Sequence, residues 1–293
     1  MSRLVVENLT IRLPRGADRD NAIEDVSLSV AAGEILCVVG ESGSGKSVTA
    51  SAAMGLLAPG LTITAGRMAL SGEDLRAKSP QAWRAIRGRR IAMVFQEPMT
   101  ALNPLMNVGA QIGEMWRVHL GLDAREAGRR ALAALREVNL PDPEGALRAF
   151  PHELSGGQRQ RVMIAMALAL EPEVLICDEP TTALDVTTQA QVLALIKDLQ
   201  RRHGTAVMFI THDFGVVAEI ADRVAVMRLG RVVEEGTARE VLTNPQHDYT
   251  KALLAAVPGL HAPQPRALSA DEVLQVRGLT KTYVSRGLFR RRW

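Results

Sequence analysis

The sequence predicts an α/β domain with a mainly parallel β-sheet at its core, and three observations support that fold class. Wholly apolar runs of five residues stand at 35–39 and 206–210, as is typical of strands buried on both faces of a parallel sheet. Helical patterns separate them, one from Lys46 and another over 189–203. Strands that alternate with helices along a chain indicate a parallel sheet covered by helices.

The other elements can be assigned in order along the chain. Residues 4–13 alternate roughly between apolar and polar side chains and predict a first strand. A helix is predicted to begin near Asp123, because Asp123 and Glu126 have the spacing of a capping box before an apolar helical pattern. Val162–Leu170 predicts another helix. Further short apolar segments predict strands at 26–30, 174–177 and 223–227.

Charge is distributed unevenly along the chain. The formal net charge is +3, yet residues 273–293 contain six Lys or Arg residues and no Asp or Glu. The rest of the chain is therefore slightly acidic and gives no electrostatic reason to expect nucleic-acid binding. We predict that nucleic acid is not a partner.

The apolar segments are too short to cross a bilayer. The longest, Val162–Leu170, has nine residues, whereas a membrane-spanning helix needs about 20. Glu7 interrupts the first apolar stretch, so we expect no signal peptide. Any membrane would therefore be reached through a partner.

A glycine-rich loop follows the apolar run at 35–39. It fits the pattern GxxxxGK[ST] in full, with Gly40, Glu41, Ser42, Gly43, Ser44, Gly45, Lys46 and Ser47. Glycines let the backbone fold so that several N–H groups point at one phosphate chain, and the following helix aims its positive end at the same anion. Lys46 is expected to reach the β- and γ-phosphates of ATP, and the Ser47 hydroxyl to bind Mg²⁺.

Two carboxylates follow the apolar strand at 174–177. Asp178 is predicted to help hold Mg²⁺, and Glu179 to polarise the attacking water. A strand followed by a solvated acidic pair is common, so this pattern gains its meaning from the phosphate loop in the same chain.

A second candidate anion site stands at the start of a later helix. Ser155 is placed as its N-cap, and Gly156, Gly157 and Gln158 expose backbone N–H groups. A monomer seldom needs two such sites for one phosphate, whereas in a dimer each helix end could close over the nucleotide held by the other subunit. An ordinary capped helix is the alternative interpretation.

Taken in their order along the chain, GESGSGKS, LSGGQ, VLICDEP and His212 resemble the cassette of ABC ATPases over about residues 3–255. The resemblance implies a P-loop NTPase fold with an N-terminal antiparallel β portion and a helical subdomain inserted at about 97–160. It also implies ATP and Mg²⁺ as cofactors and ATP hydrolysis as the activity. Gln96 matches the glutamine that contacts Mg²⁺ and senses the membrane-spanning partner. Asp185 matches the D-loop, and His212 matches the histidine that hydrogen-bonds the γ-phosphate.

Longer segments narrow the resemblance to the dipeptide, oligopeptide and nickel importer branch, at 95–112, 152–170, 178–193 and 244–260. The likeness implies an importer of peptides, with nickel or another small solute as the alternative. It implies a second cassette, transmembrane permease subunits and, indirectly, an extracytoplasmic solute-binding protein as partners. The chain is then expected to be peripheral, at the cytoplasmic face of the inner membrane. Tyr249 is expected to help pack a C-terminal helix onto the cassette.

Two features depart from that branch. The family usually stacks adenine on an aromatic residue near the end of the first strand, where this chain has Leu13, with Arg12 and Arg15 nearby as a candidate arginine plane. Some peptide-importer cassettes carry a cysteine cluster after the C-terminal helix. Here the two cysteines are Cys37 and Cys177, both in apolar strand-like runs. We therefore expect buried thiols and no iron–sulfur centre.

The end of the chain partly repeats its beginning. Residues 273–283 align with 3–13, and the identical positions in the second copy are Leu274, Val276, Leu279 and Thr280. Residues 256–272 are rich in Pro and Ala and predict a linker. Residues 273–293 are thus predicted to start a second cassette, as in importers whose two cassettes are fused, or to form a basic tail.

Two other functions stay open at this point. Some ABC ATPases act on nucleic acid or ribosomes, although the acidic main part of this chain and its importer-like segments argue against that class. A non-hydrolysing regulatory fragment is the other alternative.

Overall fold

The computed structural model describes residues 2–96, 101–182, 184–257 and 275–282. The chain divides into two units, Met1–Val257 and Pro258–Trp293. In the second unit, residues 275–282 are exposed and form neither helix nor strand. Residues 258–274, which include most of the predicted linker, and residues 283–293 of the predicted repeat lie outside the described part of the chain.

The larger sheet has the strand order β10-β9-β3-β8-β7-β6. Its strands are β3 (Ile35–Val39), β6 (Ile91–Val94), β7 (Val174–Asp178), β8 (Ala206–Ile210), β9 (Arg223–Arg228) and β10 (Arg231–Thr237). All neighbours are parallel except β9 and β10, which pair antiparallel. The prediction of a mainly parallel sheet is confirmed.

The parallel register brings the ends of three strands to one edge of this sheet. Val38 of β3 and Asp178 of β7 both lie opposite Ile210 of β8. The residues that follow these strands are therefore neighbours, namely the phosphate loop after β3, Glu179 after β7 and His212 after β8.

The smaller sheet is antiparallel, with the order β2-β1-β4-β5. Its strands are β1 (Ser2–Arg12), β2 (Asn21–Ala31), β4 (Thr62–Leu70) and β5 (Glu73–Asp74). This is the N-terminal antiparallel portion that the family resemblance implied.

The helices cover the larger sheet and form the insert after β6. They are α1 (Lys46–Ala53), α2 (Pro80–Ile86), α3 (Val108–Leu120), α4 (Ala124–Glu137), α5 (Pro143–Arg148), α6 (Gly156–Leu168), α7 (Val186–His203), α8 (Phe214–Ile220), α9 (Ala238–Thr243) and α10 (Asp248–Ala255). A 3-10 turn spans Pro151–Glu153. In the described ranges, no helix has both the length and the apolar character needed to cross a bilayer.

The start of α4 confirms a local prediction. The Asp123 carboxylate accepts a hydrogen bond of 2.8 Å from the backbone N–H of Glu126. Between residues 101 and 160 the described chain is helical or loop and contains no strand. Residues 97–100 lie outside the described chain and α6 continues past residue 160 to Leu168, so the boundaries at about 97 and 160 stay predictions.

Strand β3 separates two apolar cores. Its odd-numbered residues, such as Cys37, pack in a core with the inserted helices, and its even-numbered residues, such as Val38, pack in a core with the smaller sheet. A strand with both faces covered needs apolar residues at every position, which explains the run at 35–39. Both Cys37 and Cys177 are fully buried, as predicted, and burial raises the pKa of each thiol.

Several elements have no sequence prediction, namely β4, β5, β6, β10, α2, α8 and α9. In β4 only the last three residues are buried, so no apolar run or regular alternation marks it. Gly66 interrupts this strand where it crosses β1, and a Cβ there would lie 2.4 Å from the Asn8 carbonyl oxygen. The close approach of two backbones therefore decides the residue at this position.

Candidate functional site

The glycine-rich loop turns tightly between β3 and α1. Gly40 and Gly45 have φ values of 148° and 105°. A Cβ would lie 2.1 Å from the Met227 carbonyl oxygen at Gly40 and 2.5 Å from the Ile23 side chain at Gly45. Within the described part of the chain, no side chain caps the first N–H groups of helix α1. Those donors therefore remain available for an anion at the positive end of the helix.

The Lys46 side chain folds back over this loop. Its ammonium donates to the carbonyl oxygens of Gly40 at 2.7 Å and Glu41 at 2.9 Å. Lys46 is only 6% exposed, and burial lowers its pKa, while the carboxylates of Glu179 and Asp178 oppose the shift. The ammonium is thus held by carbonyl oxygens of the loop, beside the cavity in which a phosphate would lie.

Ser47 and Asp178 meet at the sheet edge. The Ser47 hydroxyl donates to the Asp178 carboxylate at 3.0 Å. Burial raises the pKa of Asp178, and the hydrogen bond from Ser47 acts in the opposite direction. A hydroxyl and a carboxylate at this separation form the set of hard oxygen donors that Mg²⁺ prefers.

The Glu179 carboxylate is surrounded by three side chains. It accepts hydrogen bonds from the Gln96 amide at 3.2 Å and the Thr182 hydroxyl at 3.1 Å. The Nδ1 atom of His212 lies 3.3 Å from its other oxygen. The structure thus brings together Gln96, Glu179 and His212, the three residues predicted to act in catalysis. Thr182 was not predicted, because only the turn after Glu179 places its hydroxyl there.

The backbone of Glu179 is strained. Its φ is +46°, a conformation that non-glycine residues seldom adopt. Its N–H donates to the carbonyl oxygen of Ile210 at 3.0 Å, which ties the turn after β7 to the end of β8. This conformation is held by the sheet edge and aims the carboxylate at the loop.

These groups line one open cavity of about 420 Å³. Its lining combines the loop residues with Gln96, Glu179 and His212. His212 is largely exposed, with a side-chain exposure of 58%, whereas the Glu179 side chain is mostly buried, at 18%. The cavity is therefore open to solvent on the histidine side and closed beneath the carboxylate.

The glycine-rich start of α6 lies elsewhere. Ser155 accepts a hydrogen bond from the backbone N–H of Gln158 at 3.3 Å, and the Gln158 side chain accepts one from the Ser155 N–H at 2.8 Å. The N-cap prediction for Ser155 is confirmed. None of the four residues Ser155–Gln158 belongs to the cavity lining that the described chain provides.

Gly157 packs against the start of α7. A Cβ at Gly157 would lie 2.5 Å from the Thr188 side chain. Asp185 caps α7 by accepting from the backbone N–H of Thr188 at 3.0 Å and from the Thr188 hydroxyl at 2.7 Å. These bonds lower the pKa of the Asp185 carboxyl, so it is held as an anion. Asp185 and Gly157 therefore share one surface, away from the cavity.

Comparison with known proteins identifies the family. A model described as ABC transporter matches residues 23–182, and one described as oligopeptide/dipeptide transporter, C-terminal region, matches 233–281. The chain is 48% identical to the dipeptide transport ATP-binding protein DppD of Bacillus subtilis over 258 residues, which cover 88% of this chain and 77% of that protein. The chain belongs to the ABC transporter family.

Other relatives of this ABC cassette differ in length. The glutathione import ATP-binding protein GsiA of Salmonella paratyphi A is 47% identical in an alignment that covers 98% of this chain and 51% of that protein. The present chain thus spans about half the length of that relative. The sequence interpretation as an ABC cassette of the dipeptide and oligopeptide branch is confirmed.

A solved structure confirms the fold of the cassette. The dimeric post-hydrolysis state of the ATP-binding cassette MJ0796 bound to ADP and Pi has a TM-score of 0.71 and 29% identity, over 80% of this chain and 99% of that chain. The predicted P-loop NTPase fold is therefore correct.

The end of the cavity near Leu13 differs from the sequence prediction for the residues beside adenine. Leu13 does line the cavity, as predicted, but Arg19 lines it in place of Arg12 and Arg15. The Arg19 guanidinium donates to the Gly43 carbonyl oxygen at 2.7 Å, and its Nε atom is buried with no hydrogen-bond partner among the described residues. The sequence places Arg19 in a polar turn, and only the fold of that turn reveals its position.

The C-terminal helix packs onto the cassette as predicted. Tyr249 is buried in the core that the larger sheet forms with the inserted helices, and Leu253 and Leu254 pack against the same core. Helix α10 therefore belongs to the cassette unit that ends at Val257.

Proposed function

We propose that this chain binds ATP in the cavity at the sheet edge and hydrolyses it to drive an ABC importer of peptides. The observation that carries this proposal is the Glu179 carboxylate, held by Gln96, Thr182 and His212 beside the phosphate loop. A carboxylate fixed next to a phosphate-binding loop suits activation of a water molecule for phosphoryl transfer.

The loop supplies the phosphate contacts. The backbone N–H groups from Gly45 to Ser47, at the start of α1, face the phosphate chain, because no described side chain caps that helix. Lys46 exchanges its bonds to the Gly40 and Glu41 carbonyls for the phosphates. This charge-assisted contact is the strongest single interaction of the loop with ATP.

Ser47, Gln96 and Asp178 are the residues that would hold Mg²⁺. The 3.0 Å contact between Ser47 and Asp178 supports this assignment, since both supply hard oxygen atoms. The bound ion supplies positive charge that balances the phosphate oxygens.

In hydrolysis, Glu179 takes the proton of the attacking water, and Gln96 helps to orient that water. His212 donates to the γ-phosphate oxygens as their charge rises. The 3.3 Å separation of His212 and Glu179 supports these roles, because both groups reach the same small space.

The second half of each site comes from another cassette. Ser155–Gln158 caps a helix outside the cavity of its own chain and presents that helix end to a neighbour. Asp185 lies on the same surface and is proposed to contact the partner cassette at the dimer interface. The similarity to a dimeric cassette bound to ADP and Pi supports this arrangement.

An apolar groove is the proposed contact with the permease. It has a volume of about 190 Å³ and is lined mainly by methionine and other apolar side chains, among them Met54, Met93, Phe95, Met115, Met163 and Met166. Methionine adapts to the shape of an inserted segment. Phe95 is 42% exposed and directly precedes Gln96, so a permease segment in the groove would lie beside the glutamine that contacts Glu179.

The branch likeness supports a peptide as the solute. The C-terminal match to the oligopeptide/dipeptide region and the names of the relatives, which specify dipeptide and glutathione, point to peptides over nickel. The solute-binding protein outside the membrane would act only through the permease. The cassette would work as a peripheral subunit at the cytoplasmic face of the inner membrane.

The domain boundaries are a further part of the proposal. We assign residues 3–255 to the cassette, 256–272 to a linker and 273–293 to the start of a second cassette or a basic tail. The division of the chain at Val257 supports the first boundary.

The replacement Glu179→Gln tests the proposed activity. It preserves the size and hydrogen-bonding reach of the side chain but removes the base, so ATP hydrolysis should fall by about 100-fold or more while ATP still binds. Phosphate release and ATP titration by calorimetry measure the two quantities. Glu219→Gln makes the same change at an exposed position of α8 and should leave both unchanged. Hydrolysis near the unmodified rate in Glu179→Gln would reject Glu179 as the base.

A further inference from the structure

The C-terminal helix α10 touches the phosphate loop through one side chain. The backbone N–H of Glu41 donates to the hydroxyl oxygen of Tyr249 at 3.2 Å. The two residues are 208 positions apart in the sequence. Tyr249 is 8% exposed whereas Glu41 is exposed, so the contact is shielded from water on the tyrosine side.

The peptide unit of Glu41 is held from two sides. Its N–H donates to Tyr249, while its carbonyl oxygen accepts from the Lys46 ammonium at 2.9 Å. The lysine contact must weaken when the ammonium engages a phosphate. The tyrosine contact involves no group that binds the nucleotide, so it can hold the loop both before and after ATP binds.

The tyrosine ring is itself fixed. The Arg228 guanidinium lies over it, 4.8 Å from the ring centroid, in a cation–π contact. Arg228 ends β9, and the turn that follows donates from the Gly230 N–H to the Ser44 carbonyl oxygen at 3.0 Å. The ring and the turn therefore support the phosphate loop at two points, Glu41 and Ser44.

The start of α10 is anchored to β10. The Glu234 carboxylate accepts from the backbone N–H groups of Gln246 at 2.7 Å and His247 at 3.1 Å. The His247 ring nitrogen then accepts from the N–H of Tyr249 at 3.1 Å and caps the helix. These bonds set the position of Tyr249 relative to the sheet and leave its hydroxyl little freedom.

We propose that Tyr249 is a positioning residue for ATP binding, which acts by holding Glu41 and through it the phosphate loop. This inference rests on the proposed function of the cavity. The general ABC match ends at residue 182, whereas Tyr249 lies in the oligopeptide/dipeptide C-terminal match over 233–281. A loop built by the ABC core is thus held by the branch-specific region, so that any change which moves α10 also changes the affinity for ATP.

The replacement Tyr249→Phe tests the proposal with the full chain. It removes the hydroxyl but keeps the ring and its contact with Arg228. The dissociation constant for Mg·ATP should rise about three- to tenfold, as expected for the loss of one partly buried hydrogen bond. The kcat at saturating ATP should stay within about twofold, because Glu179, Gln96 and His212 are untouched. Thr243→Val also removes a hydroxyl, one that donates to the Arg239 carbonyl oxygen within α9, and should leave the dissociation constant unaltered.

A second variant separates positioning from packing. Tyr249→Ala also removes the ring and should lower the melting temperature in addition to weakening ATP binding. If Tyr249→Phe binds ATP like the unmodified chain and only Tyr249→Ala binds it weakly, the side chain serves packing alone and the proposal is overturned. The proposed function is tested separately, since Glu179→Gln changes the rate and Tyr249→Phe changes the affinity.

Discussion

Two nucleotide-facing regions of this cassette differ in how complete they are. In the phosphate-loop half, defined as Gly40–Ser47 with Gln96, Asp178, Glu179 and His212, the side chains already contact one another around a cavity. In the signature half, defined as Ser155–Gln158, the side chains of Ser155 and Gln158 bond within their own helix start, as far as the described chain shows. One region is an assembled pocket and the other is a capped helix end, a difference that the proposed sharing of each site between two cassettes would explain.

The difference has a physical cause. The phosphate-loop half is built where three parallel strands end at one sheet edge, so the sheet fixes its residues within hydrogen-bond distance. The signature half belongs to the helical insert and packs on the start of α7 through Gly157 and Thr188. The sheet therefore brings the residues of the phosphate-loop half together, but it does not place the signature half beside them.

The largest expected effect comes from Ser155→Ala in the signature half. The Ser155 hydroxyl is proposed to reach the phosphates of a partner cassette, so hydrolysis should fall by about 100-fold while ATP binding to the loop stays unchanged. Turnover and calorimetric titration measure these quantities.

Asp123→Ala provides the matched control, because Asp123 caps α4 through an equivalent bond. Each variant should lose about 1 kcal/mol of folding free energy through its cap. Equal losses of hydrolysis in both variants would mean that Ser155 acts only as a cap, and the two halves would then not be complementary.

Lys46→Ala, in the phosphate-loop half, should weaken ATP binding itself, in contrast to Ser155→Ala. It removes a buried charge beside the phosphate position, so affinity for Mg·ATP should fall by at least about thirtyfold. Titration with ATP gives the dissociation constant. Lys197→Ala, at a half-buried lysine of α7 outside the cavity lining, should bind ATP normally. Unchanged affinity in Lys46→Ala would contradict the assignment of the loop.

A smaller effect is expected at the end of the cavity near Leu13. Leu13 and Arg19 line it in place of an aromatic residue, and the Arg19 guanidinium is expected to stack on adenine. Arg19→Ala should weaken ATP binding about three- to tenfold but leave the affinity for inorganic triphosphate unchanged; Arg15→Ala should alter neither. A parallel loss for triphosphate would show that Arg19 works through its bond to Gly43 and not through the base.

The sequence predicts the residues proposed to act on ATP better than it predicts the residues that hold them in place. The loop, Asp178 and Glu179 are readable because each follows a short apolar strand at a fixed spacing. Thr182, Arg19 and the contact between Tyr249 and Glu41 are not, because they depend on how distant turns and helices pack. The same reasoning applies to the fold, since β3 and β8 are apolar runs whereas the half-exposed β4 has no periodic pattern.

The central claim is that two copies of this cassette each complete the site of the other. The most direct measurement is the molar mass of Glu179→Gln protein by light scattering after size exclusion, with and without Mg·ATP. We predict a monomer without nucleotide and, with Mg·ATP, a dimer near twice 31.7 kDa that Lys46→Ala, added as a second change, abolishes. A protein that binds ATP but stays monomeric would contradict the claim and would mean that its partner is a different cassette.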